Sequence, residues 1–286
     1  MVPSTTPKPA PPPPVAAASA PQPRHMFVFG AGFVGRYVSE RLLAQGWQVS
    51  GTCTSAAKKR ELEALGMCAS VFDATESNLA DLQSLQCATH LLVSIPPILG
   101  IGDPLLNLNE DLKRTLSHGN VQWLCYLSST SVYGDCGGAL VDEDALDTLV
   151  KSNSLSQRQK LRESKQYTAR IHVADIYQAI LASMSIRCAR KIFNVVDDDP
   201  APRAEVFAFA RSLIERRYPD LITEPIDVNS TGFDSQVRII PAKKRVSNAR
   251  LKQELGVELL HPTYRSGLQS ILDSWQAESK LPDRNR

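Results

Sequence analysis

The stretch Met26-Phe27-Val28-Phe29-Gly30-Ala31-Gly32-Phe33-Val34-Gly35 decides the fold. It opens as a short apolar run ending in glycine, the pattern of a parallel strand buried on both faces. Apolar residues then recur at Phe33, Val34, Tyr37, Val38, Leu42 and Leu43, a spacing that predicts a helix over 33–45 stopped by Gly46. Between an apolar strand and a helix, G-A-G-F-V-G reads as a dinucleotide-binding turn. Gly30 permits the tight turn, Gly32 lets the main chain approach a pyrophosphate, and Gly35 lets helix and strand pack closely. The first helical turn, with Phe33 and Val34, presents unpaired N–H groups and a partial positive charge to the phosphates. The competing reading is a glycine turn in an α/β protein that holds no nucleotide.

Working outward, strands are predicted over 48–53, 68–72, 90–95 and 123–127, with helices over 58–65, 79–85 and 108–117. This alternation specifies an α/β class: a Rossmann doubly wound parallel sheet with helices on both faces. After Ser128 the rhythm changes. Residues 129–147 read as loop, with Gly134, Gly137 and Gly138, and 155–167 as polar and basic helix or ordered loop. Helices are predicted over 173–184, 203–217, 247–255 and 263–275, with a strand over 191–196 and an irregular stretch over 218–245. Residues 25–150 are assigned to the NAD(P)-binding Rossmann domain. Residues 151–286 are assigned to a small C-terminal α+β substrate lobe, partly interleaved with the core.

Bulk composition bounds the function. The chain has 286 residues, 43% hydrophobic and 22% charged, enough apolar content for a packed body. A net charge of +2 gives no electrostatic case for nucleic acid or an acidic membrane surface. No apolar run approaches the roughly 20 residues that span a bilayer. Residues 1–24 are rich in Pro, Ala, Ser and Thr and contain no acid. They read as disordered or polyproline-like, lack the apolar core of a secretory signal, and are compatible with an organelle transit segment. Six cysteines (Cys53, Cys68, Cys87, Cys125, Cys136, Cys188) form no C-x-x-C pair, so reduced, buried thiols are expected, and neither disulfide framework nor metal site.

The second strand discriminates between nicotinamide nucleotides. NAD binders carry an acid at its end for the ribose 2′-hydroxyl. Here it ends Thr52-Cys53-Thr54-Ser55, without an acid, and Lys58, Lys59 and Arg60 follow. Thr54, Ser55 and Lys58 suit a 2′-phosphate, so NADP is favoured over NAD; the alternative is a solvated cationic helix face. Asp73, after the third strand, is placed to accept from an adenine amino group or to lead a helix. Ser94, Ile95 and Pro96 leave the fourth strand, and Ser128, Ser129, Thr130, Ser131 and Tyr133 the fifth, at the edge where open parallel sheets bind ligands. Hydroxyls there suit a carbonyl or alcohol substrate, or simply close their own turns. His172 and Asp175 read as helix-head packing or an anchor between lobes. Asp197-Asp198-Asp199 reads as an acidic turn rather than a metal cluster, and Lys243-Lys244-Arg245 as a solvated run or a contact for a phosphorylated substrate. Arg158, Lys160, Arg162 and Lys165 form a further basic stretch, read as a lid.

Taken in order, the glycine turn, Asp73, Leu127-Ser128-Ser129-Thr130-Ser131-Val132-Tyr133-Gly134, Arg170-Ile171-His172-Val173-Ala174-Asp175-Ile176, Phe193-Asn194-Val195-Val196-Asp197-Asp198 and Lys244-Arg245-Val246-Ser247-Asn248-Ala249-Arg250-Leu251 form a set. It resembles the atypical/extended short-chain dehydrogenase/reductase superfamily, in its NAD(P)-dependent epimerase/dehydratase branch, over residues 26–275. Val141-Asp142-Glu143-Asp144 and the segment 200–206 resemble a plant and bacterial subgroup. The resemblance implies hydride exchange with NADP, or NAD as second choice, on a small carbonyl, alcohol or sugar-nucleotide substrate. Ser129, Thr130 and Tyr133 would line the reaction site, with Tyr133 a weak proton donor. A homodimer stays open, and the plant-like members bring a chloroplast address into view beside a cytoplasmic one. Two departures stand out. The superfamily's Tyr-x-x-x-Lys pair is absent, since Gly137 follows Tyr133 and Ile171 follows Tyr167 at the fourth place. The join near residue 145 looks too short for an intervening helix, strand and glycine-proline loop, which implies an internal deletion and an exposed strand edge. The missing pair keeps a second reading alive, a non-catalytic NADP-binding sensor or scaffold.

Overall fold

The structure is a computed structural model that describes residues 24–98, 102–107, 109–117, 119–134, 136–145, 167–186, 190–219 and 244–279. The expectations for the N-terminal 1–23, the basic 158–165 stretch and Cys188 lie outside the described residues.

Five strands make the central sheet: β1 (His25–Phe29), β2 (Gln48–Cys53), β3 (Cys68–Val71), β4 (His90–Val93) and β5 (Trp123–Tyr126). Their order is β3-β2-β1-β4-β5 and every pairing is parallel, the Rossmann arrangement read from the sequence. Because side chains alternate across a strand, β1 feeds two cores at once. Met26 and Val28 join Val38, Leu42, Leu62 and Leu92 on one face, and Phe27 and Phe29 join Phe72, Leu85, Leu91 and Val93 on the other. The first face is covered by α1 (Phe33–Ala44) and α2 (Ala56–Ala64). The second is covered by the 3₁₀ turn Leu79–Asp81, α3 (Gln83–Gln86), α4 (Pro104–Asn107) and α5 (Asn109–Ser117).

Two predicted elements differ. The helix expected over 79–85 is split at Leu82, whose ψ of 70° is not helical. Leu79, Leu82 and Leu85 stand three apart and all are buried, the repeat that a 3₁₀ turn aligns on one side better than an α-helix does. The strand expected over 191–196 runs without a ladder partner among the described residues. The Asn194 N–H donates instead to the Glu143 carboxylate at 2.6 Å, and the Asp197 N–H to the Arg170 carbonyl at 2.7 Å.

The C-terminal part is built from α6 (Val173–Ser185), α7 (Arg203–Arg217), α8 (Ala249–Leu255) and α9 (Tyr264–Ser279). Two small ladders accompany them, β6 (Leu140–Val141) with β9 (Arg245–Val246) and β7 (Tyr167–Thr168) with β8 (Ala201–Pro202). Gly256 closes α8 at φ +63°, a left-handed cap suited to glycine. α6 packs on α1 beside the first core, where Gln45 Nε2 donates to Tyr177 Oη at 2.9 Å. Asp175, fully buried, accepts from the Leu260 and His261 N–H groups at 2.6 and 3.2 Å, so it ties α6 to the segment leading into α9. His172 caps α6 through Nδ1, and its ring lies tilted against that of His261 with centroids 4.0 Å apart. The three aspartates 197–199 part company: Asp198 takes Asn248 and Lys252, Asp199 takes Arg265, and Asp197 turns inward. Lys244, expected on a solvated run, is buried, while Arg245 reaches the Gly138 carbonyl at 3.0 Å.

β5 ends the sheet among the described residues, and Leu124 on it is 52% exposed. Of the cysteines, Cys53 is buried as expected, but Cys68 and Cys87 are exposed because they occupy the outer end of β3 and the close of α3 rather than a core face.

Candidate functional site

A parallel sheet delivers all its strand ends to one edge. Gly30, Thr54 and Ser55, Asp73, Ser94 to Pro96, and Ser128 to Tyr133 therefore leave β1 to β5 along the same rim, the edge named from the sequence.

The glycine turn is fastened before any ligand is considered. Gly30 has φ +83°, a backbone region that L side chains rarely adopt. Its N–H donates to Thr52 Oγ1 at 2.9 Å, and the Ala31 N–H donates to the Thr52 carbonyl at 2.7 Å. Ser94 Oγ donates to the Gly30 carbonyl at 2.6 Å. Thr52 on β2 and Ser94 after β4 thus grip the turn from both sides. Thr52 was not singled out in the sequence, because a threonine inside a strand signals only β-propensity.

The three glycines have separable roles. A β-carbon on Gly35 would stand 2.6 Å from the Gly30 carbonyl oxygen, and one on Gly30 would stand 2.9 Å from Ile95 Cγ1. Both positions need glycine for packing. A β-carbon on Gly32 would meet nothing within 4 Å, and its φ of −76° is open to any residue. Among the described residues nothing requires glycine there, so the space in front of Gly32 is the cradle that a side chain would fill. α1 starts at that space with no side-chain cap and no acid in its first turn. The Gly32 N–H donates to the Gly30 carbonyl at 2.7 Å and the Arg36 N–H to the Gly32 carbonyl at 2.9 Å, which leaves the N–H groups of Phe33, Val34 and Gly35 without a carbonyl acceptor among the described residues. Phe33 lies beside them, 78% exposed, and Val34 is half-buried.

At the end of β2, Thr54 and Ser55 are exposed and Ser55 Oγ caps α2 by accepting from the Lys58 N–H at 3.3 Å. Lys59 pairs with Glu63 at 3.7 Å, whereas Lys58 has no ion-pair partner among the described residues. Asp73 is exposed; its Oδ1 accepts from the Thr75 N–H and hydroxyl at 2.8 and 2.6 Å, and those bonds hold the carboxyl below its ordinary range.

The fifth strand end divides its polar groups. Ser129 is exposed and caps the 3₁₀ turn Thr130–Tyr133 by accepting from the Ser131 N–H, while Thr130 is half-buried. Tyr133 turns away from the rim. It is 2% exposed, and its phenol donates to Asn194 Oδ1 at 2.9 Å. Burial, followed by the charges of Glu143 and Asp142, drives its pKa up, against the Asn194 hydrogen bond and Arg250. Glu143 and Asn194 complete this buried network; the V-D-E-D segment hinted at it only as a resemblance.

No protein-family model matches the chain, and no curated protein matches it. Solved structures do. A functionally unknown conserved protein from Silicibacter pomeroyi is 29% identical over 88% of this chain and 99% of its own, with a TM-score of 0.67. Yeast methylglyoxal/isovaleraldehyde reductase, complexed with NADPH, is 16% identical over 88% and 99%, with a TM-score of 0.59. UDP-N-acetylglucosamine 4-epimerase from Bacillus cereus is 13% identical over 88% and 99%, with a TM-score of 0.57. At these last identities the likeness shows the fold, a Rossmann-type α/β architecture.

Proposed function

We propose that the chain is an NADP-dependent oxidoreductase or epimerase of the atypical short-chain type, acting on a small carbonyl, alcohol or sugar-nucleotide substrate. The observation that carries this reading is the cradle at Gly32, a glycine with no internal reason to be one, facing an uncapped and acid-free helix start. The NADPH bound by the yeast reductase of the same fold supports it.

In this reading the outward N–H groups at the start of α1 take the pyrophosphate, with Gly30, Gly32 and Gly35 shaping the turn and Phe33 and Val34 flanking it. Thr54, Ser55 and Lys58, which has no ion-pair partner among the described residues, take the 2′-phosphate, and the lack of an acid at the end of β2 removes the repulsion it would meet. Asp73 Oδ2, left open by the Thr75 bonds, faces the adenine amino group. Ser94, Ile95 and Pro96 wall the far side. The nucleotide, when bound, would supply the redox chemistry: as NADPH a hydride for a carbonyl, as NADP+ an acceptor for the hydride of an alcohol. Ser129 and Thr130 orient the substrate oxygen by hydrogen bonding. The Tyr133 phenol is committed to Asn194, so its assigned part is to hold the turn that carries those hydroxyls, and proton transfer to the substrate falls to them and to solvent.

An internal deletion near residue 145, read from the short join after Asp144, belongs to the same proposal, and transcript length across the 144–149 join would test it. The acid-free N-terminal composition supports a chloroplast destination, which a reporter fused to residues 1–24 would test. A homodimer belongs to the same reading and is tested by sedimentation.

The decisive assay mixes purified protein with NADPH and a carbonyl panel and follows nicotinamide absorbance. Saturable binding with turnover supports the proposal. Saturable binding without turnover supports the second reading, a nucleotide-binding sensor, which the missing Tyr-x-x-x-Lys pair and the buried Tyr133 favour. Absence of binding removes both.

A further inference from the structure

A cavity of about 90 Å³ lies in the C-terminal part, between the 170–172 segment, Asp197, Val206 of α7 and the first turns of α9. It shares no residue with the nucleotide rim. Two wall residues carry complementary groups left without partners. Arg170 Nη2 donates to the Ala201 carbonyl at 2.8 Å and to the Thr168 hydroxyl, but the buried Nη1 has no acceptor among the described residues. Asp197 is 5% exposed, and its buried Oδ2 has no donor among the described residues. The Asp197 N–H donates to the Arg170 carbonyl at 2.7 Å, so the two residues are main-chain neighbours whose charged ends do not reach one another. Other polar groups of the wall are engaged. The Tyr264 phenol donates to Glu205 at 2.9 Å, Thr263 Oγ1 accepts from the Ser266 N–H at 3.2 Å, and His172 Nδ1 accepts from the Ala174 N–H at 3.2 Å.

A second observation points to the same space. Gly267 lies one turn into α9, where its N–H donates to the Thr263 carbonyl at 3.1 Å, and glycine inside a helix is less favourable than alanine. A β-carbon there would stand 3.7 Å from His172 Cβ and 3.8 Å from His261 Cβ, an ordinary contact. Among the described residues nothing demands glycine at 267, and its effect is to widen the cavity at the two histidines.

The occupant follows from size, charge and bonding. A cavity of about 150 Å³ holds benzene, so this one suits about four non-hydrogen atoms. Water alone fits poorly, because each buried water needs about three hydrogen bonds and much of the wall is apolar, with Ile171, Val206 and Leu268 on it. An anion would meet Asp197, with Asp199 and Glu205 nearby on Arg265, and a cation would meet Arg170. A hydroxyl is neutral, accepts from Nη1 and donates to Oδ2 through one oxygen. It also serves when Asp197, pushed by burial to about 7, holds a proton, since the same oxygen then accepts from both residues.

We infer that this cavity is a second small-molecule site, which takes a neutral primary alcohol on a short apolar chain, its hydroxyl bridging Arg170 Nη1 and Asp197 Oδ2. The chain lies against Ile171, Val206 and Leu268, and its far end uses the room left by Gly267. The site is separate from the nucleotide cradle and stands whether or not NADP binds.

The test is an NMR titration of the full-length labelled protein with propan-1-ol, read at the Gly267 amide and at the His172 and His261 rings. Saturable shifts confined to this wall are expected, with Kd on the order of a millimolar for a ligand of about four heavy atoms. Propionate and propylammonium, matched in size but charged, should bind at least about tenfold more weakly. 1-Fluoropropane, which lacks the hydroxyl hydrogen, should bind about fivefold more weakly or worse. Gly267→Ala should keep or raise Tm, as alanine suits the helix, and weaken propan-1-ol at least about fivefold by narrowing the cavity. No saturable propan-1-ol shift, which would leave ordered water as the occupant, would overturn the inference. So would equal binding of a charged or hydroxyl-free probe, or undiminished binding in a folded Gly267→Ala protein.

Discussion

Replacing Gly32 with alanine separates a ligand cradle from a structural turn. The new methyl has nothing within 4 Å and the backbone φ of −76° suits alanine, so packing is not disturbed. Gly→Ala at a compatible position stabilises by about 0.4–1 kcal/mol through the unfolded chain. Gly32 is also the N-cap of α1, where alanine is inferior to glycine by about the same amount. The two effects offset, and Tm should stay within about 2 °C of the parent. Nucleotide binding should not survive, because the methyl occupies the approach to the helix N–H groups. The parent gains about 2.7 kcal/mol at a hundredfold excess of NADPH over Kd, a shift of about 5–10 °C. In differential scanning fluorimetry the variant should melt like the parent without NADPH and show little shift with it. The contrast is Gly35→Ala, whose methyl would press on the Gly30 carbonyl at 2.6 Å and should lower stability by about 1–3 kcal/mol even without nucleotide. An unchanged NADPH shift in Gly32→Ala would refute the cradle.

Three other outcomes are expected. Lys58→Ala should weaken NADPH about fivefold, the worth of one partly exposed ion pair of about 1 kcal/mol, and leave NADH unchanged in a parallel titration. Tyr133→Phe leaves Asn194 Oδ1 without its donor and should cost about 1–3 kcal/mol in urea unfolding; no loss would mean that the hydrogen bond at 2.9 Å is inert. Asp197 is pushed from an ordinary 3.8 to about 7, by burial first and then by Asp199 and Asp198, against the Arg170 guanidinium. The folded chain then holds a proton that the unfolded chain has released, so this group's contribution falls as pH rises from about 4 to 7 and is flat above. Melting at pH 5, 6, 7 and 8 should show that decline and Asp197→Asn should flatten it; a parallel decline in both proteins would assign it elsewhere.

The Rossmann half was legible because its signals are local and repeated. Met26 and Val28 against Phe27 and Phe29 can satisfy two cores only if helices cover both faces, and the glycine spacing demands a strand before it and a helix after it. The rim residues followed from parallel topology alone. Long-range partners were not legible. Nothing near Tyr133 in sequence announces that Asn194, 61 residues on, would take its hydroxyl. The basic triplet at 243–245 looked solvated, since a lysine's burial depends on which strand its neighbour pairs with. The apolar run at 191–196 satisfied a strand pattern, but a pattern cannot supply the adjacent strand on which a ladder depends.

The double grip of Thr52 and Ser94 on Gly30 has a kinetic corollary. A loop whose amide and carbonyl are both secured to neighbouring strands meets its guest already shaped, with no ordering step to slow the encounter. Association should then be single-phase and linear in nucleotide concentration up to the limit of stopped-flow mixing. Loosening either hydroxyl, by Thr52→Val or Ser94→Ala, should introduce a plateau, the mark of a loop that must first find its form.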